Sequence, residues 1–201
     1  MLLVAFSLLL GVAAVADAVQ QFGALALGQA GERLRVSDAA DGEDPAGFDG
    51  AAAVYFWGVV GRLLFRALVK VHVALYRASG GRLGGRVSKG VPVLLLTTSG
   101  RKTGKQRTTP LLYVEEGGRY VVVASVGGAP SHPAWYLNLR SNPAATIQVG
   151  GRKVAVTAET AGPEERARLW SRVTQMWPRY DDYQAKTRRE IPVVILARSA
   201  A

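Results

Sequence analysis

VPVLLLTTSGRKTGKQRTTPLLYVEEGGRYVVVAS, residues 91–125, alternates apolar runs with turns. Val91–Thr98, Leu111–Glu115 and Tyr120–Ser125 are rich in β-branched residues and read as strands. Glu116-Gly117-Gly118 turns the second strand into the third. Between the first two lies Ser99–Arg107, where Arg101, Lys102, Lys105 and Arg107 stand with no acid among them. Gly100 and Gly104 bracket a turn. The stretch is therefore a basic loop on a rigid strand pair, suited to an anionic, phosphorylated ligand. A solvated basic hairpin loop is the plainer reading of the same residues.

Downstream, Ser131–Ser141 reads as a short helix, with Ser131 as N-cap and Pro133 in the first turn. Ala145–Val149 and Lys153–Ala158 form a hairpin over Gly150-Gly151. Pro163–Met176 starts as a helix should, with proline first and Glu164-Glu165 at the positive end of its dipole. Pro178 interrupts it. A helical piece over Asp181–Thr187 leads to a last strand, Ile191–Ala197.

Upstream, Val54–Ala78 reads as an amphipathic helix. Leu64, Leu68, Val71 and Leu75 recur at helical spacing, with Arg62, Arg66, Lys70 and Arg77 interleaved. It packs on a core with a solvated basic face, or lies on an anionic membrane surface. Gly80-Gly81 and Gly84-Gly85 end it. Residues 29–53 are rich in Gly, Ala and Asp and read as a disordered acidic linker. Residues 1–16 are apolar and uncharged, a signal or anchor without the usual basic flank, or an extension with no structural role. The chain thus divides into an N-terminal segment, 1–53, and one folded domain, 54–201. Its class is α+β, an antiparallel barrel of about six strands with outer helices.

Composition excludes several functions. The chain has 201 residues and no cysteine, so neither disulfides nor thiolate chemistry arise. Residues 1–60 carry two basic and seven acidic side chains, whereas 61–201 carry 23 and 8, a net +15. Such a domain attracts phosphates, anionic lipid or polyanionic cofactors. The basic loop is no Walker loop, because three residues separate its glycines, Gln106 follows Lys105, and a strand comes next. Neither a GxGxxG fingerprint nor a GxSxG elbow is present. His72 and His132 lie far apart without nearby acids, so no metal is expected. Aromatic residues do not interleave with the basic loop, which argues against nucleic acid.

Three further motifs complete the pattern. Val123-Ala124-Ser125-Val126-Gly127-Gly128 ends a strand where backbone amides are able to approach a ligand. Ala134-Trp135-Tyr136-Leu137-Asn138 places Trp135 and Asn138 on one helix face. Trp177, Tyr180 and Tyr183 recur every three residues, as a core stripe or as a pocket wall broken at Pro178.

Taken with Leu75-Tyr76-Arg77…Gly80-Gly81-Arg82 and REIPVVIL (189–196), these motifs make the chain from Val71 to Arg198 resemble the deazaflavin-dependent nitroreductase family of actinobacteria. The resemblance implies a split β-barrel of the pyridoxamine-phosphate-oxidase type that uses coenzyme F420, an 8-hydroxy-5-deazaflavin. It implies that Arg101, Lys102, Thr103, Arg107, Thr108, Thr109 and Pro110 hold the coenzyme's phosphate and oligoglutamate tail. Val123, Ala124, Ser125 and Val126 would run along the ring, and Ala134, Trp135, Tyr136, Leu137 and Asn138 would complete the cleft. Trp177, Tyr180, Tyr183 and Ser125 would surround the substrate, with Ser125 near the hydride-donating carbon and Tyr180 or Tyr183 supplying a proton. Val126 stands where relatives often carry Lys, and Trp177 where a Tyr is known. The implied activity is hydride transfer from the reduced deazaflavin to a quinone, a nitroaromatic or a similar planar apolar acceptor. Its setting is cytoplasmic, peripheral on the inner face of the plasma membrane. The rival readings are an FMN-dependent split barrel and a non-enzymatic basic module that binds lipid.

Overall fold

The computed structural model describes residues 66–87 and 90–199. The apolar segment, the acidic linker and the first part of the expected helix, 54–65, lie outside the described residues. Helix α1 covers 66–78. Then come β1 (Val93–Ser99), β2 (Gln106–Leu112), β3 (Val114–Glu116) and β4 (Arg119–Val123). A 3-10 turn, Val126–Gly128, precedes α2 (Ala134–Ser141). The hairpin β5 (Ala144–Val149) and β6 (Arg152–Thr160) follows, then α3 (Pro163–Met176), α4 (Arg179–Ala185) and β7 (Val193–Arg198). Among the described residues no helix is long and apolar enough to cross a membrane.

One antiparallel sheet runs β2-β1-β5-β6-β7-β4-β3. Its two edges, β2 and β3, are halves of one run that bends at Tyr113. The first half pairs with β1, from Ser99↔Gln106 to Val93↔Leu112, and the second with β4, from Val114↔Val121 to Glu116↔Arg119. One bent strand thus closes the curl, so the seven segments make a six-stranded split barrel.

The first half of that run corrects the sequence reading. Thr108, Thr109 and Pro110 are strand residues, not loop. Their local sequence is polar, and the ladder to β1 sets their conformation instead. Pro110 is tolerated because β2 pairs with β1 alone and its other side needs no amide donor. At the start of α2, Pro133 rather than Ser131 holds the N-cap position. Its backbone is extended, at φ −63° and ψ 148°, and its carbonyl accepts from Tyr136 and Leu137.

The strands alternate sides, and three apolar clusters result. Leu94, Leu96, Tyr120, Val122, Ile147, Val156, Val194 and Leu196 fill the inside of the curl, with Trp135, Tyr136 and Leu139 of α2 plugging it. Val121, Val123, Val193 and Ile195 face outward and are covered by Leu169 and Val173 of α3 and by Tyr180 and Tyr183 of α4. Val93, Leu95 and Leu112 are covered by Tyr76 of α1. The Tyr76 hydroxyl donates to Val93 O at 3.0 Å and accepts from Gly150 N at 3.0 Å, tying α1 to the β5–β6 turn. Met176 and Trp177 pack against both outer clusters.

Helix α1 carries a second correction. Arg66, Val69, Lys70, Val73, Ala74 and Arg77 fall on one face, and that face lines a cleft. Leu68 and Val71, 48% and 52% exposed, look outward instead. The basic face, exposed at Arg66, Lys70 and Arg77, borders the cleft, and the side that carries Leu68 and Val71 is apolar.

Candidate functional site

Three segments build a cleft of about 720 Å³: α1, the β1–β2 loop with the start of β2, and the first turns of α2. Among the described residues six cations line it, namely Arg66, Lys70, Arg77, Arg101, Lys102 and Arg107, and no carboxylate does. Thr103, Thr108 and Thr109 add hydroxyls, Asn138 an amide, and Trp135 an indole face. Like charges gathered this way repel one another unless an anion sits among them. The exposed loop and the face of α1 thus offer positive charge and neutral donors to an anion in the cleft.

Polar contacts hold the loop in place. Gly100 N donates to Lys105 O at 2.9 Å and Gly104 N to Gly100 O at 2.7 Å. Asn138, 5% exposed, donates from Nδ2 to Thr98 Oγ1 at 3.1 Å and accepts Arg101 N–H at Oδ1, also 3.1 Å. Arg77 Nη2 donates to Thr108 Oγ1 at 3.0 Å, and that hydroxyl pairs with Thr97 Oγ1 at 2.9 Å. The loop is thus pinned from α2 and from α1.

The end of β4 is a separate feature. Ser125 is buried and right-handed helical, at φ −77° and ψ −48°, so it begins a turn and does not extend the strand. Val126 has φ 49°, the one non-glycine residue with positive φ among the described residues. A β-branched residue held there costs about 1–3 kcal/mol. Gly128, at φ +84°, fits because a Cβ would lie 2.6 Å from Tyr183 O and 3.0 Å from Lys186 Cβ. The turn therefore wedges against α4.

Nine of the residues expected to bind the coenzyme line the cleft: Arg101, Lys102, Thr103, Arg107, Thr108, Thr109, Ala134, Trp135 and Asn138. Pro110, Tyr136 and Leu137 do not. Val123 and Ala124 are core residues, and Ser125 and Val126 stand in the strand-end turn away from the basic wall. Tyr180 and Tyr183 are 1% and 2% exposed and belong to the cluster under α4, edge to face with rings 6.1 Å apart. Burial pushes the Tyr180 phenol far above its usual range, and the neighbouring Tyr183 adds to the effect. Trp177 sits between the two outer clusters with its Nε1 buried and unpaired among the described residues. The structure thus buries Tyr180 and Tyr183 in the core, packs a partly exposed Trp177 against it, and lines the cleft with none of the three.

Sequence reasoning missed that Arg66, Lys70 and Arg77 border the same cleft as the basic loop. Their helical spacing put them on one face, but periodicity does not say what a face meets. It also gave no role to Arg189, whose partners are 57 to 65 residues away in the chain.

A family model described as F420H(2)-dependent quinone reductase matches residues 68–198. A curated F420H(2)-dependent quinone reductase from Mycobacterium tuberculosis (strain ATCC 25618 / H37Rv) is 46% identical over 134 residues, 65% of this chain and 90% of its own. One from the CDC 1551 / Oshkosh strain matches to the same extent. Among solved structures, an F420-H2 dependent reductase is 45% identical over 52% of this chain and 93% of its own, with a TM-score of 0.49. Another, described as a domain-swapped dimer, is 40% identical over 63% and 93%, with a TM-score of 0.52. The motifs that carried the resemblance, Thr97–Tyr113, Val121–Gly128, Ala134–Pro143 and Arg189–Leu196, all fall inside the matched span. On that match, and on a split barrel whose basic cleft is built from those motifs, the chain belongs to the F420H(2)-dependent quinone reductase family.

Proposed function

We propose that the protein is an oxidoreductase that binds reduced coenzyme F420 and reduces a quinone or a similar planar, apolar acceptor. One observation carries the reading: among the described residues six cations from α1 and the β1–β2 loop line one cleft without a carboxylate, and Trp135 forms part of its wall. That donor set fits a ligand with a phosphate and an oligoglutamate tail at one end and a flat ring at the other. Arg101, Arg107 and Arg77 offer bidentate forks for phosphate and carboxylates, and Lys102 and Lys70 offer mobile point charges.

When bound, the reduced deazaflavin supplies the hydride, and that chemistry is the cofactor's own. The protein's part is to neutralise the tail, fix the ring's position and keep the acceptor against it. Asn138 holds the Arg101 amide and so keeps the basic loop in register with α2. The turn at Ser125–Gly128 borders the ring, with Ser125 beside the reacting carbon. Solvent supplies the proton, since Tyr180 and Tyr183 are enclosed in the outer core.

Fluorescence titration with the oxidised coenzyme tests the assignment. The Lys102→Ala/Arg107→Ala double variant is expected to bind about 10- to 100-fold more weakly, the effect of losing two charge-assisted contacts. Its fold is expected to be intact, because both side chains are exposed. Added salt is expected to weaken wild-type binding and to shrink the gap between the two proteins. Equal affinity in the two proteins would overturn the loop assignment, and tight binding of FMN instead of the deazaflavin would overturn the cofactor.

A further inference from the structure

Arg189 opens the REIPVVIL segment, and nothing in the functional reading uses it. Its guanidinium reaches back to the end of β4. Nε donates to Ala129 O at 2.8 Å, and Nη2 donates to Ser125 O at 2.7 Å and to Ala124 O at 3.2 Å. Nη1 lies 3.3 Å from His132 Nδ1. A guanidinium only donates, so Nδ1 is the acceptor and the imidazole proton resides on Nε2. The neighbouring Glu190 pairs with Arg166 at 3.3 Å, and no salt bridge to Arg189 occurs among the described residues. A cation at this depth spends its hydrogen bonds on backbone carbonyls.

Those carbonyls flank one feature. Ala124 and Ser125 precede the left-handed step at Val126, and Ala129 follows it. Within the turn Gly128 N donates to Ser125 O and Ala129 N to Val126 O, both at 3.1 Å. Alternation of a right-handed residue, Ser125, with a left-handed one, Val126, is the conformation in which successive N–H groups converge on one concave side. A strained β-branched residue persists in such a turn only when its surroundings over-determine it. Arg189 on the carbonyl side and the Gly128 contact with α4 do so.

We propose that Arg189 is the positioning residue for the coenzyme ring. By gathering the carbonyls of Ala124, Ser125 and Ala129 on one guanidinium, it locks the Ser125–Gly128 turn against which the ring binds. The proposal rests on the reading that the end of β4 borders the deazaflavin. Arg189 acts through the backbone it holds and touches neither coenzyme nor acceptor.

The test uses full-length wild type, Arg189→Lys and Arg189→Ala. Amide hydrogen exchange without coenzyme is expected to be at least about tenfold faster over 125–129 in Arg189→Ala, with β1 and β7 unchanged. Unchanged exchange over 125–129 overturns the proposal. Should Arg189→Ala unfold, Arg189→Lys decides, because it keeps the charge but spans fewer carbonyls and is expected to give an intermediate rise confined to the turn. Titration with oxidised coenzyme is expected to show Kd at least about tenfold higher in Arg189→Ala, with Lys in between. The acceptor KM is expected to stay constant while kcat falls. A purely structural arginine would lower the melting temperature and the active fraction but leave Kd and kcat of the folded fraction unchanged, and that result overturns positioning. Wild-type binding with no effect of either variant sinks this proposal alone. Failure of wild type to bind the coenzyme sinks the functional reading and the ring role with it, while exchange still decides whether Arg189 holds the turn.

Discussion

The Gly100–Arg107 loop and the Ser125–Gly128 turn each follow a strand of the same sheet, but they are made for different tasks. In the loop, Arg101 to Arg107 are exposed, and long flexible cations do the work. In the turn, Ser125, Gly127 and Gly128 are buried, and backbone geometry does the work. Charge attracts an anion from many directions and tolerates displacement, so the loop needs little rigidity beyond its pins at Asn138 and Arg77. A ring whose reacting carbon must meet an acceptor tolerates little, since about 1 Å of misplacement costs about 100-fold in rate. On the proposed reading, one end of the site is electrostatic and forgiving, and the other is steric and exacting.

Gly128→Val attacks the exacting end. A side chain there meets Tyr183 O at 2.6 Å and inherits φ +84°. The expected cost exceeds about 3 kcal/mol, read as a lower denaturation midpoint. A variant as stable as wild type would show that the turn is not wedged against α4. Asn138→Ala attacks the pins of the forgiving end. It leaves Thr98 Oγ1 and the Arg101 amide without their partner and is expected to cost about 1–2 kcal/mol. Hydrogen exchange is expected to rise over 100–107 and stay constant over 125–129. Equal acceleration at both would erase the distinction between the two regions.

Acid gives the smallest effect and the finest discrimination. His132 stands behind the turn, beside Arg189 and Arg140 and tilted on the Tyr136 ring. Burial, then the two arginine charges, hold its pKa below the ordinary 6.5. His72, under the Gly84 carbonyl, is lowered too, because burial outweighs that hydrogen bond. For both, the folded state prefers the neutral ring. Their stabilisation is complete above about pH 6.5 and is lost as pH falls through the lower folded values. Denaturant midpoints measured from pH 7.5 downward are expected to decline below about 6.5, and His132→Gln is expected to flatten part of that slope. An unchanged slope would assign it to His72.

Much of this architecture was legible where local chemistry decides. Pro163 at the first position and Glu164-Glu165 behind it mark the start of α3, and Met176 ends it as expected. Gly150-Gly151 marks the β5–β6 hairpin, with Gly150 at φ 59°. What resisted reading depends on distant partners. Gln106–Pro110 is polar and exposed at its start, and only pairing with Thr97–Ser99 makes it a strand. Trp177, Tyr180 and Tyr183 share a helical spacing whether they line a pocket or a core, and α4 settles that by packing on β4 and β7. Arg189 received no role from the sequence, because its carbonyl partners come from another part of the chain.

The bend at Tyr113 gives the molecule a built-in ruler. The run from Gln106 to Glu116 starts at the basic loop and ends paired with β4. At about 3.3 Å per residue it is a spacer of fixed length between the two halves of the barrel. A covalent strand does not stretch, so the spacing between the basic loop and β4 is measured out along the backbone. A residue inserted beside Tyr113 would change that gauge while leaving both ends chemically whole.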